Sequence, residues 1–274
     1  MLRWRILTGT ILAVAALTVV WSAPTTVVAA VFAAVALFAG DEWAGLAGLD
    51  RPARLGYVLA LGLALAAVAG LMAMELPLGV LVGAAAVVWL TALGHLVAYA
   101  RGRQQPWSKP AMLVIGGLLL TASWVSVIAP YSQNQHGAYW LTALFIMVWG
   151  SDIGGYFAGR AWGSRALSRR ISPSKTWEGC AGGLVLALVG LAALIALVSG
   201  LGLFVGKPPW HHLLFVAPVV AAAIAGDLFE SVLKRQAGVK DSGRIVAGHG
   251  GVLDRVDALL MAAPVYAVLA VGSA

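Results

Sequence analysis

The sequence predicts an all-α polytopic integral membrane protein. About nine transmembrane helices are expected, with the N-terminus cytoplasmic and a polar active-site cavity at the cytoplasmic side. Three observations predict this. Of 274 residues, 61% are hydrophobic and 11% are charged, whereas a soluble domain carries about 25% charged residues. The apolar residues fall into repeated runs of about 20, each long enough to cross roughly 30 Å of hydrocarbon as a helix. The cations gather on one side of those runs.

In chain order the runs occupy residues 6–21, 25–40, 55–74, 78–99, 111–130, 138–158, 179–205, 213–233 and 252–271. The first follows Arg3 and Arg5 and has the outline of a signal peptide, but further spans follow closely, so an uncleaved helix is expected. The second is short, and Asp41-Glu42-Trp43 after it reads as a helix-end feature. Glu75, after the third, falls at the outer interface. With the N-terminus inside, the inner segments hold Arg3, Arg5, Arg51, Arg54, Arg101, Arg103, Lys109, Arg160, Arg165, Arg169, Arg170, Lys175, Lys234, Arg235, Lys240, Arg244 and Arg255. That leaves Lys207 alone outside among the 18 Lys and Arg. A wrong span count would scramble that asymmetry.

The net charge of +7 is therefore topological, with an affinity for anionic head groups or phosphorylated substrates, and is not a nucleic-acid footprint. Cys180 is the single cysteine, which excludes an intrachain disulfide framework. The chain reads as one membrane domain over 1–274. Residues 1–137 supply apolar helices for packing and dimerisation, and 138–274 supply the catalytic helices and loops.

Ionisable groups beside bilayer segments are costly and functional by default. In 231–257 cations, carboxylates, a histidine and glycines crowd together between two apolar runs. At helical spacing Asp227, Glu230, Ser231 and Lys234 share one face, with two carboxylates deep and a cation one turn nearer water. The bland alternative is a pair of buried carboxyls satisfied by neighbouring helices. Gly248, Gly250 and Gly251 flank His249, a pattern that lets backbone N–H groups approach an anion closely. Asp254 and Asp257 are three apart at the start of the ninth span; acidic residues there also serve as ordinary dipole partners. Asp227 and Asp254 flank one loop and are both expected to reach one divalent cation. Mg²⁺ prefers one or two carboxylates with waters and phosphate oxygens. No Cys/His cluster suggests structural zinc.

A third element follows the sixth span. Asp152 and Tyr156 stand at i and i+4 in SDIGGYFAGR, and ISPSKTWEG then leads into the seventh span. Ser172, Ser174 and Thr176 offer hydroxyls and Lys175 a point charge, a set suited to polyphosphate oxygens. Ser or Thr could equally cap the seventh helix with Glu178 in its first turn. The two readings are compatible, since helix N-termini bind anions. His95, His136, His211 and His212 show no ligand spacing and read as packing or interface residues.

These stretches together resemble the phosphatidate cytidylyltransferases, or CDP-diacylglycerol synthases. The likeness is carried by Ser-x-x-Lys-Arg-x4-Lys-Asp-x-Gly and His-Gly-Gly-x-x-Asp-Arg-x-Asp within 231–257, by SDIGGYFAGR and ISPSKTWEG, and loosely by DEWAGL near the second span. The resemblance implies transfer of the CMP moiety of CTP to phosphatidate in phospholipid biosynthesis, with CDP-diacylglycerol and pyrophosphate as products. It implies a multi-pass protein of the inner (plasma) membrane with its site facing the cytoplasm, and a homodimer. Mg²⁺ would be the cofactor, with room for a second cation. Asp227, Asp254 and Asp257 would hold metal. Lys175, Lys234, Arg235 and Asp152 would be the catalytic set. Ser172, Thr176, Ser231, Lys240, Asp241, His249, Gly250, Gly251 and Arg255 would bind substrate. Two rivals stand beside this reading. One is a cytidylyltransferase for another lipid phosphate. The other is a cation-coupled transporter relaying through Asp152, Asp227 and Asp254, which would place carboxylates near the midplane.

Overall fold

The computed structural model of the chain describes residues 2–74, 78–103, 106–133, 136–203, 209–243 and 250–271. The expectations for Glu75, Lys207, Arg244 and His249 lie outside those residues. The described chain forms nine long helices: α1 (Leu2–Ser22), α2 (Thr25–Leu46), α3 (Arg51–Ala73), α4 (Leu78–Ala100), α5 (Lys109–Gln133), α6 (Gly137–Trp162), α7 (Trp177–Gly200), α8 (Val216–Gln236) and α9 (Leu253–Val271). A 3-10 turn, Trp210–Phe215, leads into α8.

Among the described residues seven helices are long and apolar enough to cross a membrane: those of α2 to α7 and the segment Trp210–Gln236. This makes the chain a polytopic, predominantly helical membrane protein. The expected nine runs thus divide into seven clear spans and two helices outside that set, α1 and α9. α9 opens with Asp254, Arg255 and Asp257 inside its first two turns. The second run, expected to stop at residue 40, continues as helix to Leu46, so Asp41 and Glu42 belong to α2 itself.

One departure from an all-α chain stands between α6 and α7. β1 (Ala166–Ser168) pairs antiparallel with β2 (Ser172–Thr176), matching Ala166 to Thr176 and Ser168 to Ser172. The Ser-Pro-Ser-Lys-Thr segment, expected as loop, is therefore a strand. Thr176 then ends the strand and caps α7, its hydroxyl accepting from the Gly179 N–H at 3.1 Å.

Helices in lipid gain little from the hydrophobic effect and associate where small residues let backbones approach. The α6–α7 pair, the most extensive helix contact in the molecule, is built this way. A Cβ on Gly154 would overlap the Gly182 carbonyl, and one on Gly182 would overlap the Ala158 methyl. A Cβ on Gly183 would lie 2.6 Å from the Ser151 carbonyl oxygen. The interior lies among α5, α6, α8 and α9, where Leu119, Leu141, Leu144, Met147, Phe229 and Leu233 are fully buried. By contrast α3 is mostly exposed, presenting Leu55, Leu59 and Leu63 outward.

Contacts between distant connections show which loops share an end. The Arg170 guanidinium, from the β1–β2 turn, lies 5.7 Å from the centroid of the Tyr99 ring near the end of α4. Gln236 Nε2, at the end of α8, meets His95 Nε2 of α4 at 3.3 Å. Ser242, after α8, bonds to Glu42 of α2. At the other end, Trp21 Nε1 donates to Thr142 Oγ1 at 2.9 Å, and the Tyr139 hydroxyl meets His212 Nδ1 at 2.7 Å. The connections α2–α3, α4–α5, α6–α7 and α8–α9 therefore share one end of the bundle.

Candidate active site

Two charged clusters occupy that end. The first is built from the C-terminal part of α6, the end of β2, the second half of α8 and the start of α9. Lys175 makes an ion pair with Asp227, both side chains partly exposed. Asp152 lies within electrostatic reach of Asp227, Lys175 and Arg255, and Asp257 within reach of Asp227, Asp152 and Lys175. Close helix approach makes this possible: a Cβ on Gly226 would overlap the Asp257 carbonyl, so α8 and α9 nearly touch beside Asp227. The β-hairpin delivers Lys175 to the same point. The cluster holds three carboxylates against the two cations Lys175 and Arg255. Among the described residues, no group of three or more His, Cys, Asp or Glu is arranged to hold a metal ion.

The second cluster begins one turn further along α8. Lys234 Nζ sits 2.5 Å from Glu230 Oε2 and 2.6 Å from Asp254 Oδ1. Glu230 is 2% exposed and fully enclosed, so Lys234 is the cation that makes its burial tolerable. Asp254 Oδ2 accepts the Ser242 N–H at 3.0 Å and the Gly251 N–H at 2.8 Å. Beyond it Glu42, also 2% exposed, accepts from Ser242 Oγ at 3.0 Å, Val252 N at 2.9 Å and Leu253 N at 2.8 Å.

Asp227 and Asp254 were both expected on one ion. In the structure Asp227 pairs with Lys175, and Asp254 bonds to Lys234 and to the Ser242 and Gly251 N–H groups. The Gly251 N–H, expected to meet an anion from solution, is taken by the Asp254 carboxylate. Gly250 adopts φ +86, a conformation only glycine enters cheaply, which turns the chain toward α9. Ser172 is half-buried, its hydroxyl 3.5 Å from that of Ser174. Ser231 is half-buried on the α8 face between the clusters, and Arg235, Lys240, Asp241 and Arg255 are exposed around them.

Two residues make contacts that the sequence reading did not assign to them. Glu178 accepts from Ser164 Oγ at 2.7 Å and from the Ser164 and Arg165 N–H groups at 3.2 Å each, closing the base of the hairpin. Glu42 carries more, and the DEWAGL likeness was its one signal. His95 and His212 behave as packing groups: His95 stacks 4.2 Å from Trp107, and His212 lies in an aromatic bed with Tyr139, Trp140 and Phe215.

The model of the cytidylyltransferase family matches residues 3–271. A Pseudomonas aeruginosa phosphatidate cytidylyltransferase is 38% identical, with the alignment covering 98% of this chain and 97% of that protein. A Haemophilus influenzae phosphatidate cytidylyltransferase is 37% identical over 65% of this chain and 64% of its own length. One from Bacillus subtilis is 39% identical over 58% of this chain and 60% of its own length.

Proposed function

Since the chain belongs to the cytidylyltransferase family, we propose that it transfers the cytidylyl group of CTP to phosphatidate, releasing pyrophosphate and leaving CDP-diacylglycerol in the membrane. A phosphate oxygen of the lipid forms a bond to the α-phosphorus of CTP while the bond from that phosphorus to the oxygen bridging it to the β-phosphate breaks. The attacking phosphate is already anionic at neutral pH, so no strong general base is required. The difficulty is bringing two polyanions together, and positioning with charge neutralisation should dominate catalysis.

The observation that carries this reading is the first cluster, where Lys175 meets Asp227 with Asp152 and Asp257 alongside. Lys175, Arg255, Arg235 and Lys240 would neutralise the phosphates of CTP and phosphatidate. The hydroxyls of Ser172 and Ser231 would orient phosphate oxygens. Oxygen donors in carboxylate excess suit a hard cation, so Asp227 and Asp257 would hold Mg²⁺, with Asp152 beside them for a second cation. The bound ion would screen charge on the transferring and leaving phosphates. Asp254 and Lys234 would hold the described ends of the loop between α8 and α9, and His249 of that loop would bind the nucleotide. On the positive-inside argument this end faces the cytoplasm, the chain crosses the inner membrane nine times, and the clusters line a polar cavity there. A second copy covering the exposed α3 face would make the homodimer.

The test is turnover of radiolabelled CTP with phosphatidate by the purified protein in detergent. Asp227→Asn and Asp257→Asn should each lose most turnover, and near-normal rates in both would sink the metal assignment. A substrate panel separates the second reading: preference for a different lipid phosphate over phosphatidate would replace the substrate while keeping the chemistry.

A further inference from the structure

We infer that Glu42, on α2, is a positioning residue that clasps the two ends of the loop between α8 and α9. The inference rests on the proposed reaction, for which Asp241, Gly250 and Gly251 at the described ends of that loop would bind substrate. Three features carry it.

First, the side chain is buried and its bonds are apportioned to the loop. It takes the Ser242 hydroxyl from the loop's beginning, and the Val252 and Leu253 N–H groups from its end. The first N–H groups of a helix have no partner within it, so Glu42 satisfies the start of α9 from another helix. Secondly, a second carboxylate holds the same two ends. Asp254 takes the Ser242 N–H and the Gly251 N–H, and Lys234 fixes Asp254. Ser242 is thus gripped twice, by its amide and by its hydroxyl. Thirdly, the loop leaves room for Glu42 and for nothing larger. A Cβ on Gly243 would overlap Glu42 Oε1, and one on Gly251 would overlap Glu42 Oε2 and Ser242 Oγ. Glycine at both positions is explained by the carboxylate between them.

Glu42 would not touch substrate; it acts through the loop. A glutamine keeps the size but offers one carbonyl oxygen where three donors point, and its NH₂ faces N–H groups. Glu42→Gln should raise KM for CTP about tenfold with kcat within about twofold, because a misplaced loop weakens nucleotide binding rather than the chemical step. KM for phosphatidate should stay at its parent value. Deuterium exchange of the peptide holding Val252 and Leu253, read by mass spectrometry, should quicken in the same variant, and this needs no turnover. In a Glu42→Asp background Gly251→Ala should lose less activity than in the parent, since the shorter acid makes space.

Unchanged exchange with unchanged KM for CTP would overturn the clasp. So would a parallel fall in kcat and thermal midpoint with KM for CTP unaltered, which marks a purely structural residue. Faster exchange in a protein that never consumes CTP with phosphatidate would support the clasp and sink the proposed reaction, so the two failures are distinguishable.

Discussion

The sharpest energetic prediction concerns Lys234. Its ammonium lies 2.5 Å from one Glu230 oxygen and 2.6 Å from one Asp254 oxygen, where the three side chains are 16%, 2% and 9% exposed respectively. Lys234→Met keeps the stem and its packing while deleting the charge. Two carboxylates are then left facing one another, one of them wholly enclosed. Removing one partner of a buried pair costs about 3–5 kcal/mol. At about 2–4 °C per kcal/mol for a chain of this size, the apparent thermal midpoint should fall on the order of 10 °C. The assay is fluorescence-detected size exclusion of heated detergent-solubilised protein. Adding Glu230→Met should recover part of the loss, because the unpaired buried acid goes with it; the difference measures the coupling. A Lys234→Met midpoint within about 2 °C of the parent would refute the reasoning, given the cost of an unpaired buried acid. So would a double variant less stable than the single.

Other expectations follow from the same geometry. Gly154→Ala forces a methyl into the Gly182 carbonyl at the α6–α7 contact and should cost about 1–3 kcal/mol, seen as a lowered midpoint, as overpacking does elsewhere. Thr176→Ala removes the hydroxyl that accepts the Gly179 N–H and should cost about 1 kcal/mol of stability; Thr176→Ser should restore it. Chelation by EDTA should abolish CTP turnover and added Mg²⁺ restore it, with the midpoint little altered; turnover that persists in EDTA would remove the cation from the proposed chemistry. Lys175→Ala should cut turnover at least tenfold, in line with a charge-assisted contact to phosphate, as measured with radiolabelled CTP.

Most of the helices are legible in the sequence because bilayer thickness imposes one length on each, and seven described helices meet that standard. The clustering of charge at one end is legible for the same reason, since a misplaced span inverts every loop after it. What escaped is non-local. The β1–β2 pairing depends on Ala166 meeting Thr176 and Ser168 meeting Ser172, and strands this short carry no periodicity of their own. Asp254 and Asp257 share a helix turn, and spacing put them on one face. In the structure Asp254 bonds to Lys234 and the loop amides, while Asp257 lies within electrostatic reach of Asp227 and Asp152. Glycine spacing around His249 suggested an anion nest; within it the Gly251 N–H bonds to the protein's own Asp254, while Gly248 and His249 lie outside the described residues. Glu42 looked like a helix terminus because all three of its donors lie 200 residues or more downstream, beyond any local pattern.

That separation has a consequence for how the protein is made. Glu42 leaves the ribosome about 210 residues ahead of Val252, and at bacterial rates of about 5–20 residues per second this interval lasts roughly 10–40 s. During it the carboxylate has none of its eventual donors. In the middle of a bilayer an unpaired acid would oppose insertion of its own helix. One turn from the end of α2, it can stay hydrated until α9 arrives. Its place near the helix end therefore serves the order of synthesis as well as the finished molecule, and the loop closes only with the last helix.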